Sequence, residues 1–458
     1  MLDKGNIRDR MSRAIKNNKA DYLEIRLEES RSRRLSFRGR ELEDIGSASG
    51  LGCCVRALVK GGWGFASFNN LDLLEEKMGQ AVAQARLIGN ETSKFTLLEA
   101  IEDYVDAPVR KSPFQFSLYE VKSLMDKYVT VIWSIPKIQT SIIFYGDSEK
   151  IVHFANSEGS FIRQSRQDVS LRVSVVAREG GEVQQAGISL GSNGDFGIVE
   201  GLHGEIEKTA HKAVEILSSP KIKGGEKTVV LDPILAGVFV HEAFGHLSES
   251  DFIYENENMR KLMTLGRCFG GKHLNIVDGA AVPGRRGSFK YDDEGVPATK
   301  TYLIREGILV GRLHSRETAA KMGEKVTGNA RAVDYRFPPI VRMTNTFIEP
   351  GEMSFDQLIG DVKDGVYVKN WFGGTTSMEM FTFSSAEAYR IRGGRVEEMV
   401  RPVTLSGNVF NTLEMIDAVG NDLDMNEGGG CGKGGQMPLP VSNGSPHIRI
   451  QKCLVGGR

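Results

Sequence analysis

The chain has 458 residues, 40% of them hydrophobic and 26% charged, with a formal net charge of −1. That length exceeds one ordinary core and predicts two or three domains of a soluble globular kind. Near-neutrality argues against a bulk electrostatic partner, so neither nucleic acid nor a membrane surface is expected.

The opening stretch MLDKGNIRDRMSRAIKNNKADY lacks an apolar h-region, so no secretory or transit segment is expected. Residues 5–17 read as a short polar helix. DYLEIRLEESRSRRLSFRGRELEDIG alternates apolar and charged residues, as half-exposed antiparallel strands do. GLGCCVRALVKGGWGFASF reads as a second strand pair that turns at Lys60-Gly61-Gly62. An amphipathic helix follows, with Asn70 as N-cap and Gly89 as stop. Residues 90–115 read as a connector, and a helix is expected at 117–134. A strand meander then leads to the helix LHGEIEKTAHKAVEILSSP. Strands followed by a helix thus occur twice, a weak sign of duplication with no residue-level repeat.

The segment SSPKIKGGEK, residues 218–227, has no apolar period and predicts a domain boundary. The fold expected is α+β: an N-terminal α+β domain over 1–220, mixed helices with antiparallel strands, and a β-rich C-terminal domain over 226–458 built around one metal-binding helix. That helix holds the most apolar stretch, VVLDPILAGVFV, which contains Asp232 and is too short to span a bilayer. The cysteines, Cys53, Cys54, Cys268, Cys431 and Cys453, show no C-x-x-C spacing. A reducing cytoplasm is therefore expected, with Cys53, Cys54, Cys268 and Cys453 structural.

The helix begins with Asp232 as cap and Pro233 in the first turn, and its apolar face runs into His241, Glu242 and His246. The histidines are five apart. At about 100° per residue a regular helix would splay them by ~140°, whereas an i,i+4 pair diverges by only ~40°. Joint metal binding therefore predicts an irregular helix between Phe244 and His246, through a π-bulge or a bend at Gly245. A chance H-E-x-x-x-H in such a chain has a probability on the order of 1%. Catalytic zinc takes three protein ligands and keeps one open position. Two residues compete for the third place: Glu249, three residues after His246, and Cys431, an isolated thiol in NEGGGCGKGGQMPLPVSNGSP with Lys433 nearby. Thiolate affinity for zinc favours Cys431.

HEAFGH at 241–246 and GGGCGKGGQ around Cys431 are joined by GSFKYDDEGVPATKTYLIREGIL, GNARAVDYRFPPIVRMTNTFIEPG, FGGTTSMEMFTFSSAEAYRIRGGRV and RPVTLSGN. With these motifs in this order, the chain resembles the TldD/TldE (PmbA) family of zinc-dependent peptidases over nearly its whole length, and its TldD branch in particular. The resemblance implies that His241, His246 and Cys431 bind Zn2+ and that Glu242 is the catalytic carboxylate. It implies hydrolysis of short or unfolded peptides inside a dimer cavity, formed as a homodimer or with a TldE-like subunit. Tyr291, His314 and Arg331 are candidate oxyanion donors. NWFGGTTSMEMFTF is either a strand that pairs with extended peptide or an internal strand with a Gly-Gly bulge. Two other functions compete: a non-catalytic peptide-binding subunit whose zinc is structural and closed by Glu249, and a metal-dependent amidase acting on a non-peptide bond.

Overall fold

The structure is a computed structural model that describes residues 4–377 and 379–457. It is an α+β molecule organised around two sheets. The first is built from two similar runs of helix, three strands and helix. One comprises α1 (Lys4–Lys16), β1 (Tyr22–Arg38), β2 (Glu41–Val59), β3 (Gly62–Phe68) and α2 (Leu74–Ile88). The other comprises α3 (Leu118–Trp133), β5 (Ile138–Asn156), β6 (Phe161–Glu179), β7 (Glu182–Ser192) and α4 (His203–Ser218); the short strand β4 (Glu102–Val105) lies between the runs. β1 and β5 pair antiparallel at the centre, so the order is β3-β2-β1-β5-β6-β7.

Three local expectations change. β2 is a single strand, paired with β1 from Tyr22↔Leu58 to Arg38↔Glu41, where the sequence suggested two separate hairpins. One of the glycines that imitate a break there serves packing: a Cβ on Gly52 would sit 2.2 Å from the Tyr335 ring. The segment read as a connector contributes β4, which pairs parallel with β6. A single turn of 3-10 helix, Leu71–Leu73, separates the Asn70 cap from α2.

Side-chain alternation gives the first sheet two different faces. Leu23, Ile25, Leu27, Leu35 and Phe37 of β1 all point to the side packed by the four helices. The intervening Glu24, Arg26 and Glu28 are buried on the opposite side. There Arg56 bonds both Glu24 and Glu294, and Arg26 donates to the carbonyls of Asp334 and Phe337.

Beyond residue 224 the chain forms a closed barrel. Its strands are β8 (Gly225–Leu231), β9 (Asp364–Ser377), β10 (Met380–Arg392), β11 (Val403–Asn408) and β14 (Ile448–Gly457); two intervening strands, β12 (Gly430–Lys433) and β13 (Gln436–Pro440), form a separate hairpin. The ring order is β9-β8-β14-β11-β10, and β9–β10 pairing closes it. A six-stranded sheet that includes Ile276–Asp278, Asn345–Ile348 and Ser442–Ser445 lies alongside. Short helices such as Ser250–Glu255, Arg316–Met322 and Phe355–Ile359 punctuate a region expected to hold mainly strands. No helix among the described residues is long and apolar enough to cross a membrane.

α5 (Pro233–Val240) leaves β8 and buries Leu235, Ala236, Val238, Phe239 and Val240. Its large side chains contribute about 1.5–3 kcal/mol each by burial. The Asp232 side chain accepts from Leu235 N–H at the first turn. Gly237 lets the helix lie directly on the Ser442–Ser445 strand, because a Cβ there would meet Gly444 backbone at 2.7 Å. Backbone cannot yield as a flexible side chain can, so Gly237→Ala is expected to cost about 1–3 kcal/mol, seen as a lower urea midpoint.

Candidate metal centre

α5 passes into one π-turn, His241–Gly245, and then a 3-10 turn, His246–Ser248. The His246 N–H donates to the His241 carbonyl, five residues back. This wider turn brings the two imidazoles to the same side, with ring centroids 5.3 Å apart. The distortion begins at His241, earlier than the span expected. Gly245 itself has ordinary right-handed torsions, φ −57° and ψ −50°. Its missing side chain makes room instead: a Cβ would lie 2.0 Å from Met343 Sδ.

Cys431 reaches the histidines from β12. Its Sγ is 3.6 Å from His246 Nε2, and one donor atom each from His241, His246 and Cys431 lies within 4.8 Å of the others. Gly434 and Gly435, both with positive φ, make the tight β12–β13 turn. Arg342, fully buried, donates to the carbonyls of Cys431 and Gln436, and Arg331 donates to those of Met343 and Pro440. The two guanidiniums therefore grip the hairpin at several carbonyls, one of them Cys431's own.

Glu249 lies behind His246 rather than among the three donors. His246 Nδ1–H donates to Glu249 Oε2 at 3.1 Å, Lys433 Nζ lies 3.0 Å from the same oxygen, and Met343 N–H reaches Oε1. Lys433 also binds Asp251 at 2.6 Å. A carboxylate only accepts, so Nδ1 carries a proton, and Nε2 is the nitrogen turned toward Cys431. Burial alone would raise the Glu249 carboxyl, but Lys433 and His246 hold it at about 2. Burial likewise opposes a Cys431 thiolate, yet hydrogen bonds and charge from His241 and His246 bring that thiol down to about 5. For His246, burial is outweighed by Glu249 and Cys431, which raise the imidazole to about 11.

Two imidazoles and a thiolate form a donor set suited to zinc with one position left open. His241 Nδ1 is buried without a hydrogen-bond partner among the described residues, which leaves that ring with unused ligating capacity. Glu242 stands at the open side, its Oε2 4.0 Å from His246 Nε2 and its side chain 35% exposed. Its nearness to both histidines follows from the motif; the grip of Arg342 and the Glu249–Lys433 pair left no signal in the sequence beyond residue type.

The remaining candidates fall elsewhere. Tyr291 donates its hydroxyl to Asp103. The His314 ring is bound by Ser250, Thr318 and Glu324. Arg331 braces the hairpin. Cys268 is exposed, whereas Cys53, Cys54 and Cys453 are buried. The strand NWFGGTTSMEMFTF is partly edge: β9 pairs with β10 along its length but with β8 only from Gly365 to Val368. From Gly373 to Ser377 its second edge has no strand partner among the described residues, and β9 packs against the π-turn.

Two measurements check this arrangement. A divalent ion must displace the His246 proton while the thiol is already ionised at neutral pH. Chelator competition from about pH 6 to about pH 8 should therefore show affinity rising with pH; a flat profile would contradict the raised imidazole. Glu249→Gln should weaken metal binding by about 10–100-fold while leaving the donors in place.

The same sequence features appear in known proteins. Models of the PmbA/TldA metallopeptidase match in three parts: domain 1 over residues 23–88, the central domain over 111–219 and the C-terminal domain over 224–457. The chain is 46% identical to "Metalloprotease slr0863" of Synechocystis over 96% of its own length and 95% of that protein. It is 35% identical to a "Zinc metalloprotease TldD homolog" of Saccharolobus solfataricus, over 70% of this chain and 72% of that one. The solved structure of TldE from Thermococcus kodakarensis shares the fold, with a TM-score of 0.78 at 19% identity, covering 98% of this chain and all of that one. The chain belongs to the PmbA/TldD family of metallopeptidases.

Proposed function

We propose that the chain is a zinc-dependent peptidase that hydrolyses short or unfolded peptides, with His241, His246 and Cys431 as ligands and Glu242 as general base. The observation that carries this reading is a set of three donors, buried at His241 and Cys431 and part-exposed at His246, with the half-exposed Glu242 carboxylate beside it. A structural zinc would need a fourth protein ligand, and the residue expected to supply it, Glu249, is already bound by His246 Nδ1, Lys433 and Met343 N–H.

When bound, the metal supplies Lewis-acid polarisation to the scissile carbonyl and to the attacking water. The chain's own groups do the rest. Glu242 takes the proton from water as its oxygen adds to the carbonyl carbon, and returns it to the amine as the C–N bond breaks. Glu249 keeps the His246 ring turned the right way. The edge of β9 from Gly373 to Ser377 that faces away from β10 offers main-chain donors and acceptors to an extended peptide, which suits a sequence-tolerant enzyme. Membership of the PmbA/TldD family is the ground for adding that the chain pairs with a TldE-like subunit or a second copy and encloses its substrate between the two chains.

Glu242→Gln is the direct test. It should retain one zinc per chain by elemental analysis and lose about 10²–10⁴-fold in kcat on an unstructured peptide. Normal turnover by that variant, or chelator-resistant cleavage by the wild type, would refute the assignment.

A further inference from the structure

A cavity of about 750 Å³ lies between the non-helical face of the first sheet and the hairpin that carries Cys431. Arg166, Arg331 and Gly430, the neighbour of Cys431, all line it. Most of the charge in its wall is paired. Arg33 is forked on Asp147, Arg286 is forked on Asp168, and Lys150 lies 3.2 Å from Glu28.

Arg166 and Arg331 stand apart from this pattern. Arg166 donates one Nη to the Tyr291 carbonyl, and neither its Nε nor its other Nη has a protein partner among the described residues. Arg331 spends both Nη groups on backbone carbonyls and keeps a buried, unpartnered Nε. Arg26 and Arg342 also hold buried guanidinium N–H groups without partners. The nearest acid to this group is Asp293, which lies 3.9 Å from Arg26 and accepts from Ala332 N–H; Asp292 and Glu28 also act on Arg166, whose guanidinium lies over the Phe289 ring at 4.4 Å. Burial and the neighbouring Arg166 and Arg342 lower Arg331 to about 10, as expected for cations crowded together with too few acids.

Uncompensated guanidinium in a low-dielectric wall is costly unless an anion completes it. A planar fork with an unused edge matches a carboxylate. We infer that Arg166, backed by the charge of Arg331, is a subsite for a carboxylate of the substrate, beside the proposed metal centre. It deepens the peptidase reading and rests on it: the enzyme would favour peptides that present either a free C-terminus or an acidic side chain a short distance from the scissile bond.

The test separates binding from cleavage. Zinc-loaded Glu242→Gln protein is titrated calorimetrically with N-acetylated peptides of one sequence: free acid, C-terminal amide, and amides carrying Glu or Gln at one internal position. A carboxylate peptide should bind about 10–100-fold tighter than its neutral counterpart, and Arg166→Gln should abolish the difference without weakening the neutral peptide. Preference for the free acid identifies the chain terminus as the source, and preference for internal Glu over Gln identifies the side chain. Arg331→Gln also removes two carbonyl contacts at the hairpin, so Arg166→Gln is the deciding variant, with zinc content measured for both. Equal affinity for acid and amide, a preference that survives Arg166→Gln, or inorganic phosphate competing more strongly than acetate would overturn the assignment. Failure of the peptidase reading would show separately, as wild-type enzyme that cleaves none of these peptides.

Discussion

One hydrogen bond sets the geometry of the site: the His246 N–H donated to the carbonyl of His241, five residues back. A regular turn would bond four residues back and leave the rings splayed. Everything around the π-turn holds that bond in place. Upstream, Asp232 caps the helix and Gly237 seats it on the neighbouring strand at backbone distance. Alongside, Gly245 admits Met343. Downstream, Glu249 reaches back to His246, and its other oxygen takes the N–H of the same Met343. A widened turn is weaker than a regular one in isolation, so its persistence reflects packing on all sides.

The same logic extends outward through charge. The face of the first sheet turned away from the helices carries buried ions, among them Arg56 with Glu24 and Glu294, and at its rim Arg316 pairs with Glu158 of the β5–β6 turn. Such pairs pay heavily in desolvation and are worth keeping only when nearly every donor and acceptor is matched. Matching fixes the sheet at one position against the barrel side of the molecule, since a slip of one residue would bring Leu23 and Ile25 where Glu24 and Arg26 now stand. The cavity opens where this matching stops.

The local layout of the candidate site was more legible in the sequence than the long-range contacts that support it. His241, Glu242 and His246 announce themselves by type and spacing, and five-residue spacing alone demands an irregular turn. Cys431 stands out as a thiol among glycines. What could not be read is long-range. No local pattern says that Arg342 holds the Cys431 carbonyl, that Glu249 supports a ring instead of an ion, or that Gly52 is small because Tyr335 lies above it. Strand pairs were readable wherever alternation was intact and were misjudged where glycine imitated a turn, as in β2. Gly52 responds to a residue far along the chain, which a reading confined to neighbours does not see.

The barrel places residues 448–457 between β8 and β11, and Cys431 lies 185 residues beyond His246. During synthesis, α5 leaves the ribosome long before its thiol partner, and the ring that supports both stays open until the last of its strands has emerged. A truncated or half-made chain therefore carries the two histidines and the acid without the means to hold them. If the chain cuts unfolded polypeptide as proposed, its own nascent form included, that delay acts as a built-in safeguard.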